Sequence, residues 1–255
     1  VILSAKQPYF LPHLAYYQVI SAVDKYIIYS NINFIRHGWI SRNRILMLNK
    51  GPSFFIVPLL HQSCNRKINE IRIDQSYNWQ RKILKSVSWN YRKAPYFDET
   101  FPLIESVINH ETDLIWELAA ESTIRIASYL DIKTEIQTDN SPYAELDLKL
   151  ESNNYRDEEI FRNLGIHGYE KKVIRIIYIA LTEKADIFID SIGGRELYDP
   201  CIFRKHGIDF RFLNMNPVSY KQLSADFYPS LSIIDTLMNC GKEKTKELLK
   251  EYTLV

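Results

Sequence analysis

Residues 33–44, NFIRHGWISRNR, hold Arg36, His37, Trp39, Ser41, Arg42, Asn43 and Arg44 within twelve positions. Planar guanidinium groups grip carboxylate or phosphate oxygens in pairs, and an indole offers a face on which a base or sugar stacks. No carboxylate interrupts the run, so it is a candidate for holding an anionic ligand. The same residues also suit a solvated hairpin with Trp39 tucked beneath it.

Two further stretches could do chemistry. In KQPYFLP, residues 6–12, an apolar run gives way to Lys6, Gln7, Pro8 and Tyr9. A side-chain amide at a strand end donates and accepts at once, which suits a nucleotide or a sugar. The alternative is that Gln7 caps a turn and the tyrosines are core. In DSIGGRELYD, residues 190–199, Gly193 and Gly194 permit close backbone approach to a ligand, and Ser191, Arg195 and Tyr198 add polar groups. A glycine pair is weak by itself, since neither G-x-G-x-x-G nor a Walker A pattern is present.

The common catalytic signatures fail: G-x-S-x-G and H-E-x-x-H do not occur. The six histidines form no pair at metal-ligand spacing, so no metal site is expected. Carboxylates Asp98, Glu99 and Glu105 read as an ordinary helix face rather than a glycosidase pair. Seventeen tyrosines suit a sugar-binding surface and an aromatic core equally well.

A formal charge of +1, from 32 basic and 31 acidic side chains, argues against a nucleic-acid partner. Three scattered cysteines suggest a reducing, cytoplasmic setting. No apolar run is long enough for a membrane span, and no leader segment is expected.

The elements that must position these residues follow from periodicity. Residues 1–6 read as a strand, 14–24 as a helix, and 25–34 as a strand with Tyr26, Ile28 and Ser30 on one face and Ile27, Tyr29 and Asn31 on the other. A loop and hairpin follow with a turn at Gly51-Pro52, then a strand over 69–74. Residues 79–91 and at least two segments up to 130 are helical, punctuated by Pro95 and Pro102. Extended structure restarts at 134–141, and 147–168 reads as a charged surface excursion. An amphipathic helix then leads into the strand 185–190 and its glycine loop. Residues 208–215 form another strand, and the tail from 232 is helical.

The expected fold is α/β, a Rossmann-like mostly parallel sheet with an inserted helical region. It divides into an N-terminal α/β segment (1–75), a mainly helical region (76–140) and a C-terminal α/β segment (141–255) completing a single domain.

The opening segment KQPYFLPHLAYYQ and the run RHGWISRNRI resemble the WbqC-like family. Its members begin with a HQPxYxPWxGYxxK-type segment and carry a K/R-x-x-W-x-x-R-N/T-R-I element. The likeness continues through WNYRKAPYFDETFPLIE, ADIFIDSIGGRELYD and FYPSLSIIDTLMNCG, in the family's order. Gln7, Pro8, Tyr9 and Pro12 match the first block; Arg36, Trp39, Arg42, Asn43 and Arg44 the second. Tyr91, Lys93, Pro95, Tyr96 and Phe97 match a YKKAPYF block, Gly193, Gly194 and Tyr198 the glycine loop, and Asp235, Asn239 and Gly241 the C-terminal block. Three positions depart: Lys6 stands at the usual histidine, His13 at the usual tryptophan and Ala15 at the usual glycine.

The resemblance implies a place in surface-polysaccharide or O-antigen biosynthesis. The implied activity is transfer of an amino-acyl group, glycyl included, onto an amino sugar or nucleotide-amino-sugar. The alternative is a non-catalytic nucleotide-sugar binding or pathway-assembly protein. On the first reading Lys6 replaces the family's histidine, and Asp235 is a candidate general base by analogy. Arg36, Arg42 and Arg44 neutralise phosphate, Trp39 or Tyr9 stacks, and Gln7 and Asn43 orient the ligand. The loop holding Ser191, Gly193, Gly194 and Arg195, with Tyr198, forms the facing wall. ATP with magnesium, or an activated acyl donor, would supply the acyl group, and a homo-oligomer is compatible with all of this.

Overall fold

The computed structural model describes residues 1–255. The chain runs β1 (Ile2–Lys6), α1 (Leu14–Ser21) and β2 (Lys25–Ile28), then a hairpin of β3 (Arg42–Met47) and β4 (Gly51–Ile56). A short ladder of β5 (Leu59–Leu60) and β6 (Arg72–Ile73) precedes three helices, α2 (Trp79–Tyr91), α3 (Phe97–Ile108) and α4 (Ile115–Tyr129). There follow β7 (Glu135–Gln137), α5 (Ala144–Glu151), α6 (Glu159–Asn163), α7 (Lys171–Thr182) and β8 (Ile187–Ser191). The chain ends with α8 (Pro200–Arg204), β9 (Asp209–Met215), α9 (Ile233–Leu248) and β10 (Tyr252–Leu254).

The six-stranded sheet has the order β10-β9-β8-β1-β2-β7, parallel except for the β9–β10 pair. It is a mixed α/β architecture with helices inserted between β2 and β7. Alternation along the strands separates two cores. In β2, Tyr26 and Ile28 pack into the core shared with α1, α4 and α9, while Ile27 joins the core built on α5 and α7. Burying each such side chain contributes about 1.5–3 kcal/mol, and a one-residue slip of β2 would move every one of them into the opposite core. No helix is long and apolar enough to cross a membrane.

Several local expectations need correcting. The hairpin turn falls at residues 48–50, ahead of Gly51-Pro52. Asn49 and Gly51 take φ of 65° and 74°, which proline's ring forbids. Pro102 lies inside α3 and does not end it. Residues 147–168 are not a mere excursion. Leu150, Phe161 and Ile166 are buried there, and so is the charged Asp147. The C-terminal tail does not stay helical. Gly241 kinks α9 at φ 67°, and β10 then closes the sheet edge.

Candidate functional site

The site begins where β1 and β8 end. These parallel strands are neighbours, but β1 leads through α1 to β2 on one side and β8 leads through α8 to β9 on the other. Chains that leave in opposite directions open a crevice at the carboxyl ends of the strands. Lys6, the last residue of β1, forms an ion pair with Asp190 of β8, and its ammonium group also donates to Ser191 Oγ at 2.9 Å. The Ser191 N–H donates to the same Asp190 oxygen at 2.8 Å. A Cβ on Gly194 would stand 2.2 Å from Asp190 Oδ2, so the carboxylate lies where only glycine leaves room; at Gly193 a Cβ would meet nothing within 4 Å.

The loop after β1 is pinned by three other parts of the chain. Leu11 takes φ 45°, an unfavourable value for a side-chain-bearing residue. Its N–H donates to Ser122 Oγ of α4 at 3.2 Å, and its carbonyl accepts from Asn43 at 2.9 Å and Ser232 at 2.7 Å. The Phe10 N–H donates to the Trp39 carbonyl at 3.1 Å, and the Ile233 N–H to that of Pro12 at 2.9 Å. Held this way, the loop turns Gln7, Tyr9 and His13 toward the crevice. Gln7 Nε2 donates to Tyr9 OH at 2.8 Å, and Tyr16 OH donates to the Gln7 carbonyl at 3.0 Å. That leaves Gln7 Oε1 and His13 Nδ1 buried without partners.

These groups enclose a cavity of about 520 Å³, with Tyr29, Lys172, Arg175, Ile176 and Tyr198 on its other walls. The volume falls in the range of small-molecule sites. Burial, reinforced by Arg44 and Lys6, lowers the His13 pKa to about 4, so the ring is neutral near pH 7. Burial also raises the hydroxyl of Tyr9, which the Gln7 bond opposes and Asp190 reinforces. Tyr198 is pushed up to about 12 by burial and then by Asp190. The tyrosines are therefore neutral donors, not bases.

The structure thus brings together Lys6, Gln7, Tyr9, Ser191, Gly193, Gly194 and Tyr198 around one cavity. Arg195 lines a second cavity of about 1020 Å³, which shares Lys172, Leu197 and Tyr198 with the first. The smaller cavity is the better candidate, since it occupies the strand-end crevice and holds the unpartnered polar atoms.

Arg36, Trp39, Arg42, Asn43 and Arg44 do not line that cavity. Arg36 donates to the Gln62 carbonyl at 2.9 Å, Arg42 to the carbonyls of Gly38 (3.1 Å) and His37, and Arg44 to that of Ser230 at 3.2 Å. Trp39 packs against Phe54 with Arg44 at its face. Asn43, buried, serves the loop backbone as described.

Asp235 is fully buried and also outside the cavity. It accepts from Tyr91 OH (2.9 Å), Tyr220 OH (2.7 Å), Gln222 Nε2 (2.8 Å) and Asn239 Nδ2 (3.3 Å). Burial raises its pKa against these four bonds. Tyr91 OH in turn accepts from the Leu46 N–H of β3 at 2.9 Å. This network ties α2, β3 and α9 together, and so fixes the hairpin that holds the loop.

Sequence reasoning did not place Tyr29, Lys172 or Arg175 in the site. On α7, Lys172, Arg175, Ile176 and Ile179 recur at intervals of three and four, one face of a helix, and all four line the cavity. That spacing was the available signal.

The model of the WbqC-like protein family matches residues 7–247. The chain belongs to the WbqC-like family. Among curated proteins it is similar to Uncharacterized protein Rv1507c of Mycobacterium tuberculosis, 25% identical over 240 residues that cover 93% of each chain. No solved structure matches it. The matched span includes the cavity lining of the WbqC-like chain from Gln7 to Tyr198 and the Asp235 network, while Ala5 and Lys6 of that lining precede it.

Proposed function

We propose that this WbqC-like chain is an amino-acyl transferase that joins an amino-acyl group, glycyl included, to the amine of an amino sugar or nucleotide-amino-sugar. The biological setting is surface-polysaccharide assembly, which the family resemblance implies, and the cytoplasm is where nucleotide sugars are modified. The observation that carries the reading is the crevice cavity, with the Lys6–Asp190 ion pair and Ser191 on its floor and Gln7 Oε1 and His13 Nδ1 unpartnered in its wall. Buried polar atoms without partners are costly, and a sugar rich in hydroxyl and amino donors satisfies them. The strand order supports a Rossmann-like reading of the sheet, whose ligands sit at this same crevice.

In this reaction the sugar nitrogen attacks the acyl carbon. A C–N bond forms, the bond from acyl carbon to its carrier breaks, and the amine proton passes to the departing carrier. Asp190 is the carboxylate at hand to take that proton, and Lys6 positions both the carboxylate and the acyl oxygen. Gln7 and His13 orient the sugar by hydrogen bonds, with Tyr9 and Tyr198 as flanking rings. Asp235 enters this reading as scaffold, because it lies outside the cavity with both oxygens bonded.

The test incubates purified protein with a panel of nucleotide-amino-sugars. Each is offered activated acyl donors or, separately, amino acids with ATP and magnesium, and products are read by mass spectrometry. A mass gain of one amino-acyl residue that disappears in Lys6→Ala supports the transferase. Binding without transfer on any pair returns the chain to the non-catalytic, nucleotide-sugar-binding class.

A further inference from the structure

We propose that Lys172 and Arg175, one turn apart on α7, bind the phosphate or diphosphate group of the ligand that enters the crevice cavity. The inference deepens the reading above by naming the part of the substrate that α7 recognises. It takes its ligand class from that reading, but the anion site itself does not require transfer.

Four charged side chains line the cavity: Lys6, Lys172, Arg175 and Asp190. Lys6 and Asp190 pair with each other inside the lining, whereas the carboxylates that face Arg175 and Lys172, Asp147 and Glu170, lie outside it, so the cations left facing the cavity are those of α7. In a half-enclosed cleft such cations attract anions more strongly than they would on an open surface.

Arg175 is held for this role. Asp147, buried on α5, lies 3.8 Å from Arg175 Nε, beyond hydrogen-bonding range. Its oxygens already accept from Tyr29 OH and Asn31 Nδ2, each at 2.5 Å. Asp147 therefore fixes the guanidinium by charge while leaving its N–H groups unspent. The guanidinium carbon also lies 5.8 Å from the centre of the Tyr29 ring. Arg175 Nε is buried and has no hydrogen-bond acceptor, a loss that phosphate oxygens would make good.

Lys172 stands at the mouth, paired only with the exposed Glu170 at 3.1 Å, and solvent weakens such a pair enough for a ligand to displace it. Arg36, Arg42 and Arg44 direct guanidinium N–H groups at backbone carbonyls, and although Arg44 Nε is also buried without a partner, none of the three lines the cavity. The phosphate-binding role expected of that run passes to α7.

The experiment is isothermal titration of the full chain with UDP, inorganic pyrophosphate and uridine, at low and high salt. UDP and pyrophosphate are expected to bind, more weakly as salt rises, and uridine at least tenfold more weakly than UDP. Lys172→Ala with Arg175→Gln is expected to weaken UDP at least tenfold and to flatten its salt dependence. Lys172→Ala alone changes a half-exposed side chain whose ion pair is with exposed Glu170, and is expected to weaken UDP several-fold. Thermal melts of each variant report folding.

Absence of binding by both UDP and pyrophosphate overturns the proposal, as does uridine binding as tightly as UDP. So does unchanged affinity in the α7 variants, or a loss produced by Arg36→Ala/Arg42→Ala in their place. Anion binding lost in the α7 variants, with no transfer by the parent protein, removes the transferase and keeps the site. Transfer that survives with unaltered affinity in the α7 variants does the reverse.

Discussion

The side-chain amide of Asn43 donates to the carbonyl of Leu11 at 2.9 Å, and Leu11 is held in the left-handed region at φ 45°. Such a backbone costs about 1–3 kcal/mol and persists only where surrounding contacts impose it. Asn43→Ala removes the donor and frees the loop to relax. It is expected to destabilise the protein by about 1–3 kcal/mol and to speed hydrogen exchange at the Leu11 amide. Chemical denaturation and exchange mass spectrometry read both. An unchanged midpoint would show that Ser122 and Ser232 suffice to hold the loop.

The two glycines after β8 are not equivalent. An added methyl at Gly193 meets nothing within 4 Å, whereas at Gly194 it stands 2.2 Å from Asp190 Oδ2 and 3.0 Å from its Cγ. Gly193→Ala should leave stability within about 0.5 kcal/mol of the parent. Gly194→Ala must push the carboxylate away from Lys6, costing about 1–3 kcal/mol as overpacking does and lowering the proposed transfer with it. Thermal melts of the pair decide the matter, and equal melts would contradict the packing at Asp190.

The strand ends were readable from sequence, because an apolar run broken by QP or by GG fixes where a strand stops and a loop starts. Lys6, Gln7, Ser191 and Gly194 fell on those breaks and into the cavity. The run from Arg36 to Arg44 lies outside the cavity, and composition does not say what a guanidinium faces; these donate to nearby backbone carbonyls. Residues 147–168 were hidden by their charges, since buried Phe161 and Ile166 are outnumbered by solvated neighbours. Three-residue β10 exists only because β9 offers it an edge, which is tertiary information. Arg175 was legible as one residue of a helix face, but only the packing of α7 beside the strand ends makes that face a wall of the site.

Asp235 tests scaffold against base. In Asp235→Asn an NH2 group faces donors that the carboxylate accepted, Gln222 at 2.8 Å and Asn239 at 3.3 Å among them. A stability loss of about 1–3 kcal/mol is expected. The rate of the proposed transfer per folded molecule should stay within a few-fold of the parent, because Asp235 lies outside the cavity. A drop in kcat of a hundredfold or more, with the melt unchanged, would make Asp235 a catalytic residue.

His13 makes stability depend on pH in a fixed direction. Its pKa falls from an ordinary 6.5 to about 4 in the folded protein, mainly by burial, with Arg44 and Lys6 adding repulsion. Between those values the unfolded chain binds a proton on this ring that the folded chain does not. Stability attributable to His13 is therefore fully present above about pH 6.5 and is lost as the pH drops toward 4, by about 3 kcal/mol over the whole window. His13→Gln abolishes this contribution, so the difference in unfolding free energy between parent and variant should itself change across the window. Arg44→Gln should narrow the window without closing it, because burial is the larger cause. Urea denaturation from pH 4.5 to 7.5, alongside an NMR titration of the His13 ring, supplies the measurement. A ring that titrates near 6.5 in the folded protein would mean that the wall of the cavity between Gln7 and His13 is open to water, and that its unpartnered nitrogen needs no ligand.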